Sequence, residues 1–326
     1  MSEFGLGVWS HRINEFGDTP EEARERVAAL ADAGFDLLIP CVKNAPGAVD
    51  FFTDVADVNP EYPEWDPLKV LIEACAEHGM KLHTWFCVFR EGDQSRLLRE
   101  HPESRAVFEE GTYRGGWACA CRPEVQDYVF DLYRSLAERY RPDGLHLDYI
   151  RTGSLCRCDY CKAETEKLGL DFNDAPTGSM AYAAWAQWRA DRVTALVGRM
   201  HEYTVSEGLE LSAAVFPDVP ACVLHQGQDW PLWAEQKLVD YMFPMNYTPS
   251  LRGAVTRATC HAALVGGRVP LWEGMCRHSQ QAMLDTPALI EQMRAVLDVG
   301  AQGVVIFSYA SLKDEDLAAV KQLKFA

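Results

Sequence analysis

The chain has 326 residues, 48% hydrophobic and 24% charged, and its 31 Lys and Arg against 48 Asp and Glu leave a net charge of −17. This composition excludes a disordered or low-complexity chain, and the negative balance argues against nucleic acid and anionic membrane surfaces as partners, since both repel it. No apolar run reaches the roughly 18 residues that span a bilayer, and the opening MSEFGLGVWSHRI has no basic-then-apolar leader, so a cytoplasmic protein is expected.

Apolar runs of strand length alternate with amphipathic helical stretches along the chain. FGLGVW (4–9) is the first predicted strand. Thr19-Pro20 then opens a helix, with Thr as N-cap and Pro at the first position, that closes at Gly34. FDLLIPCV (35–42) is the second strand, followed by a helix over 66–79 with Asp66 as N-cap. KLHTWFCVF (81–89) is the third, followed by a helix over 122–140, and DGLHLDYI (143–150) is the fourth. After a longer insertion and a helix across 180–206 come LELSAAVFP (209–217), VDYMFPMNY (239–247), RVPLWEGM (268–275) and GVVIFSYA (303–310), with a last helix behind them. Eight strands separated by helices, with no Gly-, Ser- or Pro-rich linker between them, predict an α/β fold: one (β/α)8 TIM barrel over residues 1–326. GLGVWS lacks the third glycine that a dinucleotide-binding doubly wound sheet needs in its first turn.

Reacting groups in such barrels stand at the C-terminal ends of the strands. In chain order, that rule selects Trp9 and His11, Lys43, His83 and Trp85, then His146, Asp148, Tyr149 and Arg151. Asp218, Asn246 and Tyr247, Trp272 and Glu273, and Tyr309 follow from the later strands. Aromatic faces suit the C–H faces of sugar rings, while carboxylates, Asn, His and Arg suit hydroxyls. Paired carboxylates are what glycoside hydrolysis requires. Asp148 stands out, because alternation sets it on the opposite face from Leu147 and a carboxylate inside a barrel is costly unless partnered or functional. Arg151 is near enough in sequence to pair with it. The expected enzyme is a glycosidase with Asp148 as nucleophile or base and Glu273 as acid, Asp218 being the alternative acid. Trp9, Trp85, Tyr247, Trp272 and Tyr309 would be sugar platforms. Two rivals are a carbohydrate-binding barrel without catalysis and a metal-dependent sugar isomerase or lyase drawing on His11, His83, His146 and Glu273.

Eleven cysteines in a chain without a leader suggest reduced thiols. Cys156, Cys158 and Cys161 form Cys-x-Cys-x-x-Cys, and a closed tetrahedral zinc site needs a fourth sulfur. Cys119 and Cys121 are the nearest supply, and Cys121 is the expected ligand. A four-cysteine zinc would be structural, with residues 151–180 as its insertion loop. Free thiols or a redox pair are the other possibility, and the spacing does not match ferredoxin-type iron–sulfur runs.

CRPEVQDYV (121–129), Arg139-Tyr140 and DGLHLDYIR (143–151) resemble the glycosyl-hydrolase-like family ten, in which a strand of the form Asp-Gly-Ile-His-Leu-Asp-Tyr-Ile-Arg is the hallmark. Gln228-Asp229-Trp230 with Trp233, Val239-Asp240 and Pro244-Met245-Asn246-Tyr247 are similar to its later signature. The resemblance implies a glycosidase-type barrel with Asp148 as the main catalytic candidate. The cysteine segment also resembles the zinc loop of family forty-two β-galactosidases, where one earlier cysteine joins three later ones. That likeness implies Cys121 as fourth ligand and a zinc loop near subunit contacts, hence a possible homo-oligomer.

Overall fold

The structure, a computed structural model, describes residues 4–109, 115–171, 174–279 and 281–325. Eight parallel strands form the sheet: β1 Gly5–Ser10, β2 Leu37–Lys43, β3 Lys81–Cys87, β4 Gly144–Asp148, β5 Glu210–Val215, β6 Tyr241–Pro244, β7 Trp272–Cys276 and β8 Gly303–Phe307. Neighbours run in the order β6-β5-β4-β3-β2-β1-β8-β7, and parallel bridges from Met242 to Leu271 and from Met245 to Gly274 join β6 to β7. The chain is therefore the (β/α)8 barrel its patterning predicts.

Period-two alternation builds two apolar layers from each strand. Leu6, Val8, Leu38, Leu82, Phe86, Leu145, Leu147, Val304 and Ile306 face outward and pack under the helices. Trp9, Ile39, Trp85, Ala214, Phe243, Trp272 and Val305 fill the interior. Each such Val, Leu, Ile or Phe contributes about 1.5–3 kcal/mol on burial, so the pattern that fixes the register also holds the barrel closed.

The main helices are α1 Pro20–Asp32, α2 Pro67–Glu77, α4 Pro123–Tyr140, α6 Met180–Glu207, α8 Leu251–Val265, α9 Thr286–Asp298 and α10 Asp314–Lys324, with shorter α3 Arg96–Glu100, α5 Asp159–Lys167 and α7 Trp230–Glu235. Thr19 caps α1 as expected, its Oγ1 accepting the Glu22 N–H at 3.2 Å. Asp66 does not cap α2. It sits at φ +56°, and its carboxylate accepts the hydroxyls of Tyr62 (2.5 Å) and Tyr140 (3.1 Å), which tie the β2–α2 loop to α4. No described helix is long and apolar enough to cross a membrane.

A buried polar ladder runs up the interior. Glu210 Oε2 meets His83 Nε2 at 3.1 Å, His83 Nδ1 meets Ser212 Oγ at 2.9 Å, and Ser212 Oγ meets His146 Nδ1 at 2.9 Å. Trp9 Nε1 can only donate, so His146 Nε2 accepts it at 3.1 Å and the His146 proton sits on Nδ1. Burial, reinforced by His83, pushes the His146 pKa well below the ordinary 6.5 and keeps it neutral. Burial works against the Glu210 anion, but the bonds from His83 and Lys81 more than offset it and bring its pKa from 4.5 to about 2. That stabilisation is complete above pH 4.5 and lost as pH falls through about 2. Glu210→Gln should therefore flatten the acid limb of a circular-dichroism pH titration; an unchanged limb would show that the pair contributes nothing there.

Candidate active site

Asp148 is the last residue of β4, set beside Cys87 of β3 by the strand register. It is 6% exposed. Its Oδ1 accepts the Arg151 Nη1 donor at 2.7 Å and the Tyr149 backbone N–H at 2.5 Å. The second bond depends on Tyr149 adopting φ +48°, a left-handed conformation that costs a non-glycine residue about 1–3 kcal/mol and folds the chain back over the carboxylate. Arg151 is held in turn between two rings, 3.9 Å from the Tyr149 centroid and 4.9 Å from that of Phe216. Burial disfavours the Arg151 cation, but the Asp148 charge more than offsets this and raises its pKa. Oδ2 of Asp148 takes no hydrogen bond from any described residue and is not sealed from solvent.

Rings surround this carboxylate. Tyr247 stacks on Phe307 with centroids 5.4 Å apart. His11 stands edge-on to Phe307 at 4.7 Å and lies 5.7 Å from Trp85. Trp117 tilts against Tyr149 at 5.9 Å, and the Arg90 guanidinium lies over the Trp117 ring at 5.7 Å. Burial pushes the Tyr247 hydroxyl well above its ordinary pKa, with nearby negative groups, Asp148 among them, acting the same way. Tyr149 is raised for the same two reasons. Both hydroxyls stay protonated and able to donate. The mouth thus joins His11, Trp85, Asp148, Tyr149, Arg151 and Tyr247 of the residues picked from the sequence. Phe307 and Phe216 were missed, although alternation from Val305 and Ala214 puts them on the inner face. Trp117 arrives on a loop and carries no strand signal.

The other picked residues are not in the mouth. Trp272 begins β7 rather than ending it, because the strand lies four residues later than predicted at its start. Its ring occupies the space where side chains on Gly5 and Gly303 would stand, at the N-terminal end of the barrel. Glu273, the expected acid, therefore points outward. It is fully buried behind β7, with Oε1 2.8 Å from His261 Nδ1 and Oε2 accepting Asn246 Nδ2 at 2.9 Å. Asn246 is occupied by the same cluster, also donating to the Ala254 carbonyl. Asp218 is exposed and bound bidentately by Arg257 of α8. Lys43 is spent on a buried ion pair with Glu91 at 2.8 Å. Trp9, His83 and His146 belong to the interior ladder, and Tyr309 stacks on Phe16 at 4.6 Å beside the β1–α1 loop. Glu273→Gln should lower stability by about 1.5–3 kcal/mol, the worth of a buried charged hydrogen bond, and leave turnover per folded molecule unchanged. A loss of turnover without a fall in melting temperature would restore it as a catalytic acid.

The cysteines gather beside this wall. Cys119, Cys156, Cys158 and Cys161 are all buried, with Sγ atoms within 4.8 Å of one another. Cys119 Sγ lies 3.5 Å from Cys161 Sγ and 3.7 Å from Cys158 Sγ. The expected fourth member, Cys121, is replaced by Cys119. The chain turns here, with the Arg122 N–H donating to the Cys119 carbonyl at 3.1 Å, and this turn leaves Cys121 against the cluster but outside the quartet. A tetrahedral zinc with bonds of about 2.3 Å has sulfur–sulfur edges of about 3.8 Å, which these separations fit. The charges of Arg122 and Arg189 act on Cys158 and Cys121 and would offset a tetrathiolate centre.

The chain is thus a parallel eightfold barrel with a buried, arginine-paired carboxylate in a ring-lined mouth. Residues 7–263 match the family described as Glycosyl hydrolase-like 10, and the chain belongs to that family. It is 26% identical over 231 residues to glycosyl hydrolase DigH of Escherichia coli (strain K12), which covers 60% of this chain and 49% of DigH, so the chain spans about half the length of that relative. Its fold is similar to the PgaB (BpsB) glycoside hydrolase domain from Bordetella bronchiseptica, with a TM-score of 0.74 and 14% identity over 99% of this chain and 98% of that one. Alpha-L-fucosidase isoenzyme 2 from Paenibacillus thiaminolyticus superposes with a TM-score of 0.73 and 15% identity, over 99% of this chain and 49% of the fucosidase.

Proposed function

We propose that the protein hydrolyses a glycosidic bond in an oligosaccharide or polysaccharide fragment, with Asp148 as the reacting carboxylate. One observation carries this: a buried carboxylate with one oxygen anchored by Arg151 and the Tyr149 N–H, and the other open to a ring-lined mouth, in a member of a glycosyl-hydrolase-like family. The paired guanidinium suits an anion, so Asp148 acts either as the nucleophile on the anomeric carbon or as the general base that takes a proton from the water attacking it. Tyr247 and His11 would present ring faces and donors to the sugar, with the Trp85 ring beneath them. Glu273 and Asp218 are engaged elsewhere, so the leaving oxygen would take its proton from water admitted to the mouth. The test is release of reducing ends from a glycan panel, lost on replacing Asp148.

The engagement of both expected acids, Glu273 and Asp218, away from Asp148 favours one rival, a binding barrel without catalysis. It predicts sugar-induced stabilisation with no released product. The metal-dependent isomerase reading has no such support, because its donors His83, His146 and Glu273 are each committed to other partners.

We also infer that Cys119, Cys156, Cys158 and Cys161 hold a structural zinc. Four sulfur ligands leave no open position for substrate, so the ion would act as a cross-link. It would join the strand-like segment before α4 to the insertion after β4, the two stretches that carry Trp117 and Arg151.

A further inference from the structure

A cavity of about 430 Å³ lies between the β1–α1 and β2–α2 loops. Its walls include Arg12, Asn44, Asp50, Asn59 and Trp65. Arg12 and Asn44 directly follow the His11 and Lys43 positions at the ends of β1 and β2, so the cavity opens at the same end of the barrel as Asp148. His11 and Arg12 form a shared wall: His11 turns onto Phe307 and Trp85 in the mouth, and Arg12 lines the cavity.

Asp50 gives this cavity its character. It is 6% exposed, and its backbone N–H donates to the Val42 carbonyl at 2.8 Å, which pins it against β2. Oδ1 accepts Asn59 Nδ2 at 2.9 Å, while Oδ2 takes no hydrogen bond from any described residue and remains open to solvent. A carboxylate this buried is costly with an oxygen unpaired. Burial accordingly pushes the Asp50 pKa up, against the Asn59 bond and the Arg12 charge. The Arg12 guanidinium and the Asn44 amide have no hydrogen-bond partner among the described residues either. Trp65 packs one side on the core and turns another to the cavity.

An acceptor, two donor groups and an indole face around a space of this size match a neutral pyranose ring, whose hydroxyls need both kinds of partner and whose C–H face needs an aromatic. An anionic ligand would meet Asp18, Asp50 and Glu61 with only Arg12 to balance them. We propose that this cavity is a sugar subsite that takes a ring of the same chain on the far side of His11 from the bond being cut, so that the protein favours longer oligosaccharides over disaccharides. The proposal rests on the carbohydrate reading of the mouth.

Calorimetric titration of Asp148→Asn protein with cello-, chito- and manno-oligosaccharides of two to six units tests it. In at least one series, affinity should rise at least tenfold between two and four units. Adding Asp50→Ala, or Arg12→Ala at an exposed position that leaves the fold intact, should cut that gain below threefold. Affinity independent of length, a gain that both variants retain, or no binding in any series would overturn the subsite. Length-dependent binding lost in these variants, together with no product from the parent protein, would leave the subsite standing and overturn the hydrolase instead.

Discussion

Asp148→Asn should lower turnover on any glycan that the parent protein cleaves by about 10²–10⁴-fold, the usual worth of a positioned acid–base group. Asn keeps the shape of the side chain and an oxygen for the Tyr149 N–H, so the loss should fall on kcat rather than on substrate binding. The substitution also leaves the Arg151 cation without its counter-charge in a site where both side chains are 9% exposed. Breaking such a pair costs about 3–5 kcal/mol, so the melting temperature must be recorded beside the rate. Arg151→Met separates the two effects: it should also destabilise, yet it keeps the reacting carboxylate and should retain more turnover than Asp148→Asn. Unchanged turnover in Asp148→Asn would remove this residue from the chemistry.

The second large effect concerns the sulfur quartet. Mass spectrometry of the intact native protein should find one zinc per chain. Cys158→Ser should lose it, and Cys121→Ser should keep it, because Cys121 stands outside the quartet. Zinc binding contributes about 10–16 kcal/mol where a small domain folds around the ion, but here the barrel has its own core. Metal loss should therefore open the insertion locally, seen as new proteolytic cleavage within residues 150–180, before it unfolds the barrel. The same loosening should reach the Trp117–Tyr149 contact and raise KM more than it lowers kcat. If Cys158→Ser protein fails to express, titration of the parent with a mercurial reagent and a zinc-sensitive dye gives the same count. A protein free of metal, or zinc kept by Cys158→Ser and lost by Cys121→Ser, contradicts the assignment.

How much of this was legible in the sequence follows from what periodicity can encode. Period-two runs gave all eight strands and the inward face of Asp148, because alternation is local. Depth along the barrel is not local. RVPLWEGM reads equally well as a strand ending at Glu273 or one beginning at Trp272, and only the stagger against β8 decides that Trp272 lies at the N-terminal end. Reversing that assignment moved Glu273 out of the mouth and onto His261, a helix residue 12 positions away that no strand pattern reports. His83 and His146 were legible as inward, but not as members of a ladder sealed by Ser212 and Trp9. The cysteine spacing announced a cluster, whereas choosing Cys119 over Cys121 needed the turn that precedes α4.

The most direct measurement is a crystal structure of Asp148→Asn protein soaked with an oligosaccharide from the panel. The account predicts a sugar ring against Tyr247 and Trp85 with its anomeric carbon facing residue 148. A ring bound elsewhere on the barrel, with the mouth left to solvent, would contradict it.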